Sequence, residues 1–142
     1  NHRLARRKAL EVDELAGERL LLPGRQFLTR QWFDAACRRG NLRPIVALES
    51  TMPHALVALA RVDYGIAIVP SHTPFDHREL RCARLTQRGT MLGAWAAIAW
   101  ERHRFQPPFV ERFVEELVRH ARRAYPSSEV AGRNALKSMS IQ

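Results

Sequence analysis

The chain has 142 residues, 46% of them hydrophobic, and carries 23 Lys and Arg against 14 Asp and Glu for a formal net charge of +9. That length suits one domain with one core, and the ordinary hydrophobic content excludes general disorder. No apolar run nears the roughly 20 residues that span a bilayer, the polar and basic amino end lacks the apolar stretch of a secretory signal, and two cysteines, Cys37 and Cys82, are too few for a disulfide framework.

Residues 1 to 9 are read as an extended approach, and Val12–Gly17 as one helical turn that Gly17 ends. Arg19–Leu22 is a short strand, followed by a Pro23-Gly24 turn. A helix is predicted over Thr29–Arg39, where Leu28, Trp32, Ala36 and Phe33, Cys37 recur at helical spacing. Thr29 would cap it, with Leu28 stapled onto Phe33, and Cys37 would be a buried thiol. The stretch Pro44–Pro70 then reads strand, turn, helix, tight turn, strand. Ile45–Leu48 has the composition of a strand buried on both faces. Ser50 and Thr51 offer hydroxyl caps to a helix with apolar Leu56, Leu59, Ala60 and Val62, Gly65 ends it in a left-handed conformation, and Ile66–Val69 is a second buried strand. This is a parallel βαβ unit, and such units bind small ligands just beyond the carboxyl ends of their strands.

Ser71–Glu79 is a loop, Leu80–Leu85 an edge strand with charged Arg81 and Arg84, and Gln87–Gly89 a turn. Leu92–Trp100 is read as a buried strand, and Pro107-Pro108 opens a last helix with Phe109, Phe113 and Leu117 on its inner face. Residues 126 to 142 are small and polar and are expected to be disordered. The positive charge is spread between the amino end (Arg3, Arg6, Arg7, Lys8) and the last turns of helices (Arg38, Arg39, Arg119, Arg122, Arg123), where it complements the helix dipole. It therefore does not by itself mark a nucleic-acid surface. The chain opens on Asn1 with no initiator Met and is read as a piece of a longer, cytoplasmic protein.

The order H-R-L-A, V-D-E-L-A-G-E-R-L-L-L, A-L-E-S-T, A-L-V-A-L-A-R-V-D-Y-G-I-A-I-V-P and the ending from W-E-R-H-R-F to R-R-A-Y-P resembles the regulatory domain of LysR-type transcriptional regulators. The resemblance implies an α/β fold like that of type 2 periplasmic binding proteins, in which two lobes joined by crossing strands hold a small effector between them. It implies that 1–18 belongs to lobe I, that 19–90 is a complete Rossmann-like lobe II, that 91–125 returns to lobe I, and that 126–142 is a tail. The first part of lobe I and the DNA-binding helix-turn-helix are not in this sequence. The resemblance therefore implies that DNA is met only through a preceding domain and that the whole protein assembles as a homodimer or homotetramer.

Seven residues are the candidate effector contacts. Ser50, Thr51 and Met52 lead into a helix whose free N–H groups and dipole favour an anion, although hydroxyl capping explains Ser or Thr there equally well. Thr29 and Arg30 open the preceding helix, where Arg30 would pair with a carboxylate or simply stand in solvent. Pro70 and Ser71 end the next strand on the same rim. His54, His72 and His77 lack the spacing of a metal site, and no catalytic signature occurs, so neither a metal, a cofactor nor an enzymatic activity is expected. The expected partner is a small, carboxylate-bearing effector, with no membrane involved. A solute-binding protein of similar lobed fold is the alternative.

Overall fold

The computed structural model describes residues 2–93 and 107–124. The predicted strand at 92–100 falls mainly, and the predicted tail at 126–142 wholly, outside the described residues. Nine elements of regular structure are described: β1 (Ala9–Glu11), β2 (Arg19–Pro23), α1 (Leu28–Arg39), β3 (Ile45–Ser50), α2 (Pro53–Arg61), β4 (Ile66–Ala67), β5 (Arg84–Gln87), β6 (Thr90–Met91) and α3 (Pro108–Ala124). A 3-10 turn at Val12–Leu15 joins β1 to β2. The strands, α1 and α2 belong to one compact unit and α3 to a second.

The first unit is built on two sheets. One is wholly parallel, in the order β3-β2-β4, and the other pairs β1 with β5 in parallel and β5 with β6 antiparallel. The strand buried on both faces is β2: Leu20, Leu21 and Leu22 are fully enclosed, each contributing about 2 kcal/mol of apolar burial. β3, expected in that role, is an edge strand with Ile45 and Val46 left 51% and 39% exposed. β3 and β4 are parallel, as the βαβ reading requires, but β2 lies between them, so α2 crosses over one strand. The β2–β3 ladder also skips: Leu20 pairs with Val46 and Leu21 with Leu48, leaving Ala47 as a bulge.

Burial on α1 follows the helical period through Arg30, Phe33, Ala36 and Cys37. Phe33, Ala36 and Cys37 meet Leu10, Val12, Leu15, Leu20, Leu22 and Ile68 in one core that also takes in Leu4. The first helix opens earlier than predicted, with Phe27 as N-cap and no side-chain cap bond. Thr29 is therefore its second residue, and Leu28 is exposed instead of stapled onto Phe33. Arg38 and Arg39 do occupy its last turn.

At α2 the N-cap is Met52, and Pro53 holds the first helical position, where its missing N–H costs little. Ser50 acts from two residues before the cap: its Oγ accepts the Met52 N–H at 3.1 Å. The left-handed residue after α2 is Asp63, φ 59°, not Gly65. Gly65 is needed for another reason, since a Cβ built there would lie 2.6 Å from the Arg19 carbonyl oxygen of β2.

Two more expectations change. The amino end is not extended but turned, with Ala5 N–H donating to the His2 carbonyl and Arg7 N–H to that of Leu4, and Ala9–Glu11 forms an unforeseen strand. Leu80–Ala83 is irregular, and the strand that follows it, β5, is the middle strand of its sheet instead of an edge. In α3, Phe109 and Phe113 are exposed, at 70% and 64%, although the helix spans the residues predicted for it.

Candidate functional site

Parallel strands place all their carboxyl ends on one edge, and here three of them converge. The pairs Leu22–Glu49 and Pro23–Ser50 bring the ends of β2 and β3 level. Gly24 N–H donates to the Ser50 carbonyl at 3.0 Å, and Ile68 N–H donates to the Leu21 carbonyl at 2.9 Å, which ties the end of β4 to the same edge. Both α1 and α2 begin there, each directly after its strand.

Arg30 governs this edge. Its residue is only 3% exposed, yet its guanidinium reaches three acceptors on three elements. Nε donates to Asp34 Oδ1 at 2.8 Å within α1, Nη1 donates to the Pro23 carbonyl at 3.1 Å at the end of β2, and Nη2 forms an ion pair at 2.9 Å with Glu49 Oε1 near the end of β3. A planar fork aims donors from three nitrogens in fixed directions at these acceptors, whereas the three donors of an ammonium share one freely rotating nitrogen. Burial works against the charge of Arg30, but Glu49 and Asp34 outweigh it and keep the group protonated. In turn the Arg30 guanidinium beside Glu49 holds that carboxyl below the usual carboxylate range.

The predicted site residues thus divide by exposure. Thr51, Met52 and Ser71 are exposed, Thr29, Ser50 and Pro70 are half-buried, and Arg30 is buried. Ser50, Thr51, Met52, Arg30 and Thr29 stand around the converging ends of β2 and β3. Pro70 and Ser71 follow β4, where the Pro70 carbonyl accepts the N–H of buried Thr73. In the first turn of α2 the Met52 carbonyl takes the N–H groups of both Ala55 and Leu56, and Pro53 has none to give. Among the described residues, the His54 N–H and the Thr51 hydroxyl are donors at this turn that none of these bonds uses.

Glu49 is a charged residue of this edge beyond the seven candidate contacts. The spacing Arg30–Asp34, one helical turn apart, was a usable signal for part of the network; the link to Glu49 depends on strand pairing. Among the described residues no group of three or more His, Cys, Asp or Glu is arranged to hold a metal ion. His77 instead lies with its ring 4.4 Å from that of Phe75. A surface cavity of about 320 Å³ is bounded by Trp32, Arg39, Gln87 and Met91, among others, and includes none of the seven predicted residues.

Comparison with known proteins follows the same lines. The family described as the LysR substrate binding domain matches residues 1–122. An uncharacterized HTH-type transcriptional regulator, YybE, of Bacillus subtilis (strain 168) is 25% identical over 122 residues, which is 84% of this chain and 40% of that protein. The crystal structure of HinK, a LysR family transcriptional regulator from Pseudomonas aeruginosa, superposes with a TM-score of 0.60 at 17% identity, over 81% of this chain and 40% of that one. The chain thus spans about two fifths of the length of either protein, and the second likeness speaks for the fold.

Proposed function

The chain belongs to the LysR substrate-binding domain family, and from that premise we propose that it is the effector-binding segment of a LysR-type regulator that senses a small, carboxylate-bearing metabolite. The observation that carries this reading is the common edge at which the ends of β2, β3 and β4 meet the starts of α1 and α2. Ligands of parallel α/β sheets bind at such edges. An effector carboxylate would take the His54 N–H and the Thr51 hydroxyl, with Ser50, Met52, Thr29, Pro70 and Ser71 shaping the pocket around it. Arg30 would act from behind that surface, through Glu49 and Pro23.

On this reading, residues 19–90 form lobe II, residues 1–18 and 91–125 belong to lobe I, and the effector lies between the lobes. In the whole regulator, a homodimer or homotetramer, closure of the lobes would alter the spacing of DNA-binding domains that precede this segment. The effector can drive that change only as far as it binds one lobe arrangement more tightly than the other.

Calorimetry on the intact regulator with a panel of small carboxylates tests the reading. Thr51→Val removes one hydrogen bond to a charged group and is expected to weaken binding about tenfold. Unchanged affinity would take Thr51 out of the site.

A further inference from the structure

Arg30 is walled in, but the carboxylate it grips is not. The Glu49 side chain keeps 40% of its surface in solvent while one of its oxygens, Oε1, is pinned 2.9 Å from the buried guanidinium. Its other oxygen, Oε2, accepts no hydrogen bond among the described residues. Glu49 stands at the carboxyl end of β3, opposite Leu22, and is followed directly by Ser50 and Thr51. An acceptor fixed by a buried arginine on one side and open on the other costs little ordering entropy when a ligand's donor reaches it. Two and five residues further along the chain lie the donors suited to a carboxylate, the Thr51 hydroxyl and the His54 N–H.

Resting on the proposed effector site, we infer that Glu49 is a specificity-determining contact that accepts a hydrogen bond from a hydroxyl or ammonium group of the effector, and that Arg30 is the positioning residue that aims it. The effector is then a small carboxylate with a donor on a neighbouring carbon, a hydroxy acid or an amino acid, in preference to a plain acid. A site built around a polar group discriminates strongly against ligands lacking the matching partner, because that group is then left desolvated and unpaired.

The experiment uses matched probes on the intact regulator: propionate, lactate and alanine, then succinate, malate and aspartate, titrated by calorimetry. The donor-bearing members of a set are expected to bind at least about tenfold more tightly than the plain acid. Glu49→Gln is expected to narrow that gap to within about twofold. Arg30→Lys, which keeps the charge but loses the fork, is expected to narrow it as well. If Glu49→Gln does not fold by circular dichroism, Glu49→Asp serves instead: it keeps the charge, withdraws it by one methylene, and is expected to reduce the preference. A loss of affinity equal for all members of a set, or an unaltered ranking, would overturn the inference. Should Thr51→Val still weaken every probe in that case, the effector reading stands without it. If no probe binds the intact regulator, both fail together.

Discussion

Gly65 and Glu11 show how much can depend on single atoms. At Gly65 the backbone passes so close to β2 that any Cβ would press on the Arg19 carbonyl. Gly65→Ala is expected to lower stability by about 1–3 kcal/mol, read as a fall in Tm with unchanged secondary structure. Glu11 receives three donors: the Gly89 N–H at 2.8 Å, the Arg88 N–H at 2.8 Å and the Thr86 hydroxyl at 2.9 Å. Led by the bond from Gly89, these hold its carboxyl below the ordinary value of 4.5. A depressed folded-state value means that stabilisation is complete above the unfolded value and disappears as pH falls through the folded one. Glu11→Gln should therefore melt below the parent chain at pH 7, and the two curves should converge at strongly acidic pH. A constant difference across that range would show that the charge is not involved. Gly65 was visible in the sequence as a position with a special requirement, but its reason was not, because a close approach to β2 follows from strand order and leaves no local mark. Glu11 was invisible for the same reason: its partners lie more than 70 residues away.

Among the elements, those with a strong local signature were legible. Burial along α1 follows the predicted spacing at Phe33, Ala36 and Cys37 but not at Leu28, and α3 runs to Ala124 behind its paired prolines. The caps were not legible to the residue. A hydroxyl at Thr29, or at Ser50 and Thr51, suits a cap chemically, but Phe27 and Met52 hold the cap positions and Ser50 works from outside. The β5–β6 hairpin closes through Arg88 and Gly89, with φ of 51° and 74°, the two positive values of a type I′ turn. Glycine accepts that geometry readily and arginine does not. Arg88→Asn is expected to raise stability by about 0.5 kcal/mol, measured by urea denaturation, and a loss of stability would mean that the arginine side chain contributes in place. β3 was misjudged because an apolar run looks alike in a central strand and in an edge strand. Only the pairing order tells them apart, and here it gives the inner position to Leu20–Leu22.

For the whole molecule, the ordered set of local motifs was enough to identify the family, while the arrangement of the strands into two sheets was not contained in any of them. The core that results is continuous from Leu4 to Ile68 and encloses Cys37, whose thiol is pushed up to about 11, by burial first and then by the nearby Asp34 carboxylate. Cys82 is exposed. With iodoacetamide at pH 8, mass spectrometry is expected to find Cys82 modified in the native chain and Cys37 only once denaturant opens the core. Equal labelling without denaturant would contradict a single cooperative core. The edge of the β3-β2-β4 sheet draws on that same cooperativity, since Arg30 joins α1, β2 and β3 through one side chain.

The bulge at Ala47 reaches furthest beyond its own position. Because alternate strand residues face opposite ways, the one surplus residue between the pairs Leu20–Val46 and Leu21–Leu48 sets the phase of everything downstream in that strand. Were Ala47 drawn into the ladder as a paired residue instead, Glu49 would register against Pro23 with its carboxylate turned from the guanidinium, while the leucines of β2 would stay where they are. The skip thus keeps the Glu49 carboxylate on the guanidinium's side of the sheet, and straightening the strand would undo the Arg30 network while sparing the leucine core.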